Sequence, residues 1–314
     1  MDGNNKKILV TGAFGQIGSD LVPALQARYG KENVIAMDIN TPAEFNGITE
    51  RFNILEREKL IECVSKHNIG TIYHLVSLLS ARGEENPSIT WDINMIGLKN
   101  VLDLAVEQKL KIFWPSSIAA FGPTTPREQT PQGTILEPTT MYGVTKVAGE
   151  LLCRYYHIKY NLDVRTIRYP GLISWKAAPG GGTTDYAVGI FYDAIQKGDY
   201  QCFVREDTVL PMMYMDDAIR GTIQIMDTPL ENLYLYKPYN FAAISFTVKE
   251  LAEEINKSIP VKVIYEPDHR QKIADSWPKS IDDSEARNDW GWHHDFDLSK
   301  MTKVMLENLK KKLT

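Results

Sequence analysis

Short runs of aliphatic and β-branched residues alternate along the first half of the chain with longer stretches whose apolar positions recur every three or four residues. The runs at 6–10, 33–38, 47–55, 70–76, 111–114 and 162–170 read as strands. The stretches at 19–29, 56–67, 87–108 and from Met141 onward read as amphipathic helices. In the longest of these, Ile89, Ile93, Ile96, Val101, Leu104 and Ala105 keep helical spacing, and Asn94 sits among them with no evident reason to be polar. Strand and helix alternate throughout, which predicts an α/β fold built on a doubly wound parallel sheet.

Past Gly171 the texture changes. Residues 177–184 are small and glycine-rich without a helical period, so they form either a mobile lid beside a site or a plain linker. Helices are expected at 185–197, 216–226, 246–257 and 299–312, and a strand at 261–265. Met212 to Met215 suit a soft pocket or a buried strand equally. Lys310, Lys311 and Lys312 read as a solvated C-terminal turn favoured by the helix dipole, and His293 and His294 as surface.

The first strand runs into Thr11-Gly12-Ala13-Phe14-Gly15-Gln16-Ile17-Gly18, and a helix follows. Strand, glycine-rich turn and helix is the arrangement that cradles a pyrophosphate: Gly12 for the turn, Gly15 for close approach, Gly18 for helix–strand packing. The second strand ends in Asp38, 20 residues past Gly18. A carboxylate there accepts hydrogen bonds from the adenosine ribose and repels a 2′-phosphate, so NAD is expected rather than NADP. Gln16 and Ile17 in the turn, Asn53 and Ile54 after the third strand, and Leu75 at the end of the fourth should border the cofactor. The fold expected is therefore a Rossmann-type sheet over residues 1–172, with 216–243 returning to it. A smaller C-terminal α/β substrate domain would comprise 173–215 and 244–314. His74 lies inside the fourth strand and reads as a core histidine.

Composition narrows the partners. The 314 residues are 43% hydrophobic and carry a net charge of −5, which argues against nucleic acid and anionic membranes. No apolar run reaches the ~20 residues of a membrane span. The first strand starts close to Met1, leaving no room for a leader, and three scattered cysteines fit a reducing, cytoplasmic setting. No metal site is expected.

The chemistry centres on Tyr142-Gly-Val-Thr-Lys146. Four residues apart on a helix, the two side chains share a face, and an ammonium beside a phenol favours the phenolate. Tyr142 is thus a candidate proton acceptor. Ser116 and Ser117 leave the end of the fifth strand, where parallel sheets bind ligands.

Taken together, the glycine turn, Asp38, the serine pair before Phe121-Gly122 and Tyr142-x-x-x-Lys146 resemble the extended short-chain dehydrogenase/reductase superfamily over nearly the whole chain. The resemblance implies Tyr142 as acid/base, Lys146 as the ribose-binding lysine, Ser117 as the catalytic hydroxyl and Asn94 as the residue that steadies the lysine through water. It adds Tyr169 to the cofactor contacts. It also implies a homodimer, formed when helices 87–108 and 141–160 of two copies make a four-helix bundle. Within the superfamily, Pro115-Ser-Ser-Ile-Ala, Arg168-Tyr-Pro-Gly-Leu-Ile-Ser, Pro179-Gly-Gly-Gly-Thr-Thr-Asp-Tyr and Leu210-Pro-Met-Met-Tyr-Met-Asp-Asp are similar to short-chain-type L-threonine 3-dehydrogenases. That likeness implies oxidation of the 3-hydroxyl of L-threonine to 2-amino-3-oxobutyrate with hydride transfer to NAD, and Ser80, Ser117, Tyr142, Thr184 and Trp277 around the substrate. Three other readings stay open: a nucleotide-sugar 4-epimerase or 4,6-dehydratase, a non-catalytic dinucleotide sensor, and a reductase of another small ketone.

Overall fold

The computed structural model describes residues 6–235 and 237–313. Its first half alternates as expected: β1 (Lys7–Thr11), α1 (Gly18–Tyr29), β2 (Val34–Asp38), β3 (Ile48–Arg51), α2 (Arg57–His67), β4 (Ile69–His74), α3 (Ser80–Glu85), α4 (Pro87–Trp91), α5 (Gly97–Gln108), β5 (Lys111–Ser117), α6 (Met141–Tyr160) and β6 (Val164–Tyr169). The second half adds β7 (Gly171–Ile173), α7 (Tyr186–Gln196), β8 (Asp199–Cys202), β9 (Val209–Tyr214), α8 (Met215–Asp227), β10 (Tyr239–Asn240), β11 (Ile244–Thr247), α9 (Val248–Asn256), β12 (Lys262–Tyr265), α10 (His269–Asp275), α11 (Ser284–Trp290) and α12 (Leu298–Leu313).

Seven strands form one parallel sheet in the order β10-β6-β5-β4-β1-β2-β3. Chain direction across the sheet reverses between β1 and β4, and ligands of such sheets bind at that crevice. Strand alternation explains how both faces are covered. Val10, Ala36, Tyr73 and Phe113 face α1 and α8, while Leu9, Ile35, Ile72 and Ile112 face α2 and α5. A third core lies among β9, β11, α7, α9 and α12. It is served by a three-stranded sheet, β11-β9-β7, and a two-stranded pair, β12-β8.

Two expectations change here, and one open alternative is decided. The helix at 87–108 is not uniformly α: residues Asp92–Ile96 are π-helical, with Asn94 at their centre. Met212 and Met213 are fully buried and enter two different cores, so the buried-strand alternative holds and the soft pocket does not. Lys312 is not simply solvated. Its Nζ donates to the carbonyls of Lys176 at 2.7 Å and Trp175 at 3.2 Å, at the root of the glycine-rich loop.

Candidate functional site

Gly12 takes φ +71°, and a Cβ there would meet the backbone N of Val76 at 2.9 Å. Only glycine suits both demands. A Cβ at Gly18 would lie 2.4 Å from the Gly12 carbonyl, so the helix packs on the turn with no room to spare. α1 begins at Gly18 with no side-chain cap from Ile17; its Ser19 and Asp20 N–H groups go to the Gly15 and Ile17 carbonyls, and the positive end of its dipole is set at the glycine turn, where an anion is favoured. Asp38 is already oriented: Oδ2 accepts from the Phe14 N–H at 3.1 Å and Oδ1 from Ile39 at 2.8 Å. Gly12, Gly15, Asp38, Asn53, Ile54 and Leu75 line one cavity of about 250 Å³. A turn that must be glycine, an uncapped helix end and a rim carboxylate fit an adenine dinucleotide. The fit comes from the residues themselves.

Leu75 also lines a second cavity of about 110 Å³, which it shares with Gln16, Ile17, Ser80, Ser117, Tyr142, Lys146, Tyr169, Thr184 and Trp277. All of the sequence-predicted site residues except Gly18 and Asn94 therefore border one of two adjoining spaces. Three elements bring the reactive ones together. β5 ends at Ser117, whose Oγ accepts from the Ala119 N–H at 3.2 Å as the chain turns away. Thr140 caps α6, accepting from the Gly143 N–H at 3.1 Å, and so fixes where Tyr142 starts the helix. Lys146, one turn on, donates from Nζ to the Pro115 carbonyl at 2.7 Å, with Nζ 5.3 Å from the centre of the Tyr142 ring.

The electrostatics differ from the sequence expectation. Burial pushes the Tyr142 phenol up to about 12, and the neighbouring Ser117 hydroxyl pulls it back only in part. Burial likewise brings the Lys146 ammonium down to about 7, opposed by the Glu150 carboxylate and then the Cys153 thiol. For both groups burial is the largest influence, so the ammonium beside the phenol does not by itself hold it ionised. His74 is a core histidine, as expected. Its Nδ1 is hydrogen-bonded with the Thr11 hydroxyl at 2.8 Å, and burial, then Lys146, lowers it to about 3.

Asn94, expected to steady Lys146 through water, makes its direct side-chain bonds to other partners. Its Oδ1 accepts from the Leu78 N–H at 2.8 Å and the Ser77 hydroxyl at 3.2 Å. Its Nδ2 donates to the Leu78 carbonyl at 3.2 Å and to Thr145 Oγ1 at 3.0 Å. It clasps the loop after β4 to α6. The Tyr169 hydroxyl is bonded to Thr222 of α8, while the residue also lines the second cavity. Ser80 is buried and its hydroxyl lies 3.3 Å from that of Thr183. The sequence reading missed Thr183, and it missed Glu150 and Arg168 beneath the site. Glu150 was reachable, since it continues the Tyr142–Lys146 face by one more turn.

Comparison with known proteins agrees with this geometry. Residues 8–240 match the NAD dependent epimerase/dehydratase family. The chain is 48% identical to the mitochondrial L-threonine 3-dehydrogenase of Bos taurus over 310 residues, 97% of this chain and 83% of that one. It superposes on the GalE-like L-threonine dehydrogenase of Cupriavidus necator in its holo form with a TM-score of 0.95 and 52% identity, covering 96% of this chain and 99% of that one. A monomeric L-threonine 3-dehydrogenase from a metagenome, in its apo form, superposes with a TM-score of 0.96 and 50% identity, covering 98% and 100%. With that match over most of its length, and with the glycine turn, Asp38 and the Tyr142–Lys146 helix in place, this chain belongs to the NAD dependent epimerase/dehydratase family.

Proposed function

We propose that the chain is an NAD-dependent L-threonine 3-dehydrogenase, oxidising the 3-hydroxyl of L-threonine to 2-amino-3-oxobutyrate. The observation that carries this reading is the convergence of Ser117, Tyr142 and Lys146 on a small cavity beside the dinucleotide cleft. NAD, when bound, supplies the hydride acceptor. The chain's own residues do the rest. Tyr142 takes the proton of the substrate hydroxyl at its phenolic oxygen. Ser117 donates to the substrate oxygen and stabilises charge there. Lys146 supplies the positive charge that favours the phenolate and reaches the cofactor ribose. Ser80, Thr184 and Trp277 stand where they can orient the amino-acid carboxylate and ammonium.

Cavity size and charge favour this over the sugar-nucleotide alternative. About 110 Å³ is well below the ~300–1,000 Å³ of pockets for larger ligands. A diphosphate needs cations, yet Arg205, Arg220, Arg270 and Arg287 are paired with Asp275, Asp217, Asp268 and Asp283, and none lines the cavity. Lys146 is the cationic side chain among its lining residues.

The same proposal extends to organisation. Residues 1–172 with 216–243 would bind the cofactor, and 173–215 with 244–314 the substrate; support comes from β10 adding to β6 and from α8 packing on α1. A dimer through α4–α5 and α6 is supported by the apolar side chains those helices expose, among them Ile89, Trp91, Leu151, Tyr155 and Ile158. A monomeric relative shows that the fold does not require it. A cytoplasmic setting is supported by three unpaired, buried cysteines. No described helix is long and apolar enough to cross a membrane.

The test is an amino-acid panel with NAD, following reduced nicotinamide by absorbance, on wild type and Tyr142→Phe. Turnover of L-threonine that is lost in the variant, with NAD affinity retained, supports the reading. No threonine turnover by the wild type, or undiminished turnover by the variant, refutes it.

A further inference from the structure

Two consecutive residues at the end of β5 are held by successive turns of α6, and the next neighbours its first turn. The Pro115 carbonyl accepts from Lys146, Ser116 Oγ donates to Glu150 Oε1 at 2.5 Å, and the Ser117 hydroxyl lies near enough to the Tyr142 phenol to lower its pKa. Tyr142, Lys146 and Glu150 are spaced by four, so they share one helix face. Glu150 is 5% exposed and is gripped from the far side by Arg168 of β6, Nε to Oε1 at 2.9 Å and Nη2 to Oε2 at 2.8 Å. Arg168, 4% exposed, spends Nη1 on the Gln132 carbonyl at 3.2 Å and on Asn240 Oδ1 of β10 at 3.1 Å. The titratable groups bearing on Glu150 are therefore Lys146 and Cys153 on its own helix and Arg168 across from it; His74 of β4 acts on Lys146 and is neutral.

A buried ion pair of this kind adds little net stability, because desolvation offsets the attraction. Its location beneath both Ser117 and Lys146 gives it a use. We propose that Ser116, Glu150 and Arg168 form a positioning set that holds Ser117 under Tyr142 and keeps a carboxylate one turn from Lys146. Ser116 and Ser117 point to opposite sides of the strand. Anchoring the first in the network therefore fixes the direction of the second. The carboxylate favours the charged form of Lys146, which in turn favours ionised Tyr142. Glu150 and Arg168 line neither cavity; Ser116 borders the second one, 2% exposed, with its hydroxyl committed to Glu150.

This rests on the reading that Ser117, Tyr142 and Lys146 are the reacting set. Wild type against Tyr142→Phe tests that reading by itself. The positioning set is tested separately with Ser116→Ala and with the double variant Glu150→Gln/Arg168→Met, which removes both charges together. For each, kcat, KM for threonine, NAD affinity by calorimetry, thermal midpoint and the pH profile of kcat are measured. Ser116→Ala should lower kcat about tenfold, and the double variant about 100-fold, since a small misplacement of a reacting group costs on that order. NAD affinity should stay within about twofold, and the acid limb of the double variant should move to higher pH by about one unit, the direction expected when a cation-stabilising charge is lost. A folded double variant with wild-type kcat and pH profile overturns the proposal. Should the double variant not fold, Ser116→Ala decides alone: wild-type kcat overturns the proposal, and a loss of kcat at unchanged thermal midpoint and NAD affinity supports it.

Discussion

Replacing Lys146 with methionine removes the cationic side chain of the cavity, whose Nζ lies 4.7 Å from the centre of the Trp114 ring, and keeps an apolar side chain of similar length. Its Nζ is 5.3 Å from the centre of the Tyr142 ring. At that separation and an effective dielectric near ~20, a unit charge is worth about 3 kcal/mol, or about two pKa units. The sign follows from which form is charged. The phenolate is favoured by the cation, so its loss moves Tyr142 further above the value of about 12 that burial already imposes. Although burial holds Lys146 near 7, ionising Tyr142 raises it again, because the coupling is reciprocal. Proton abstraction needs the phenolate, and each pH unit below its pKa costs tenfold. Lys146→Met should therefore lower kcat about 100-fold at any pH below both limbs and move the acid limb up by about two units. The assay is a pH series of steady-state threonine oxidation at saturating NAD, with NAD affinity measured separately by calorimetry. A limb that stays put, with the entire loss in NAD affinity, would show that Lys146 binds the ribose and does nothing to the phenol.

Three shorter predictions go with it. Asp38→Ala should weaken NAD about 10- to 100-fold, the worth of charge-assisted hydrogen bonds at ~1.5–3 kcal/mol, and should narrow the gap to NADP; an unchanged preference in a binding titration would mean another group reads the ribose. His74 is held neutral, with its folded value near 3 against 6.5 for the free side chain, so stability is lost as pH falls through 6.5. The loss should reach about 2 kcal/mol by pH 5, and urea midpoints at pH 7 and pH 5 should converge in His74→Asn, whereas an equally steep variant would sink the assignment. Leu151→Glu with Ile158→Glu, on the exposed face of α6, should halve the mass seen by light scattering, and a wild-type protein that is already monomeric retires the dimer.

What could be read from the sequence, and what could not, divides along a physical line. Anything confined to one element obeys its period. Leu9 and Val10 enter opposite cores because strands alternate, and Tyr142 and Lys146 meet because helices repeat near every four residues. Contacts across elements follow no such rule. Asn94 looked misplaced on an apolar face; a π-helical turn, invisible to a 3.6-residue period, carries it to Leu78 and Thr145. Lys312 looked solvated, and its partners are carbonyls 136 and 137 residues away in sequence. The Tyr142 shift was misjudged for a related reason: sequence names the neighbouring cation but says nothing of how deeply both groups are buried, and burial dominates. The serine pair shows where the two kinds of knowledge join. Alternation turns the two side chains to opposite sides of the strand, although both residues border the cavity. Which hydroxyl is left for substrate is settled by Glu150, four residues past Lys146 on the face already identified, because it takes the other. Tyr142 and Lys146 thus mark only the first two turns of a longer row. Followed one turn further, the same spacing reaches the carboxylate that sorts the two hydroxyls.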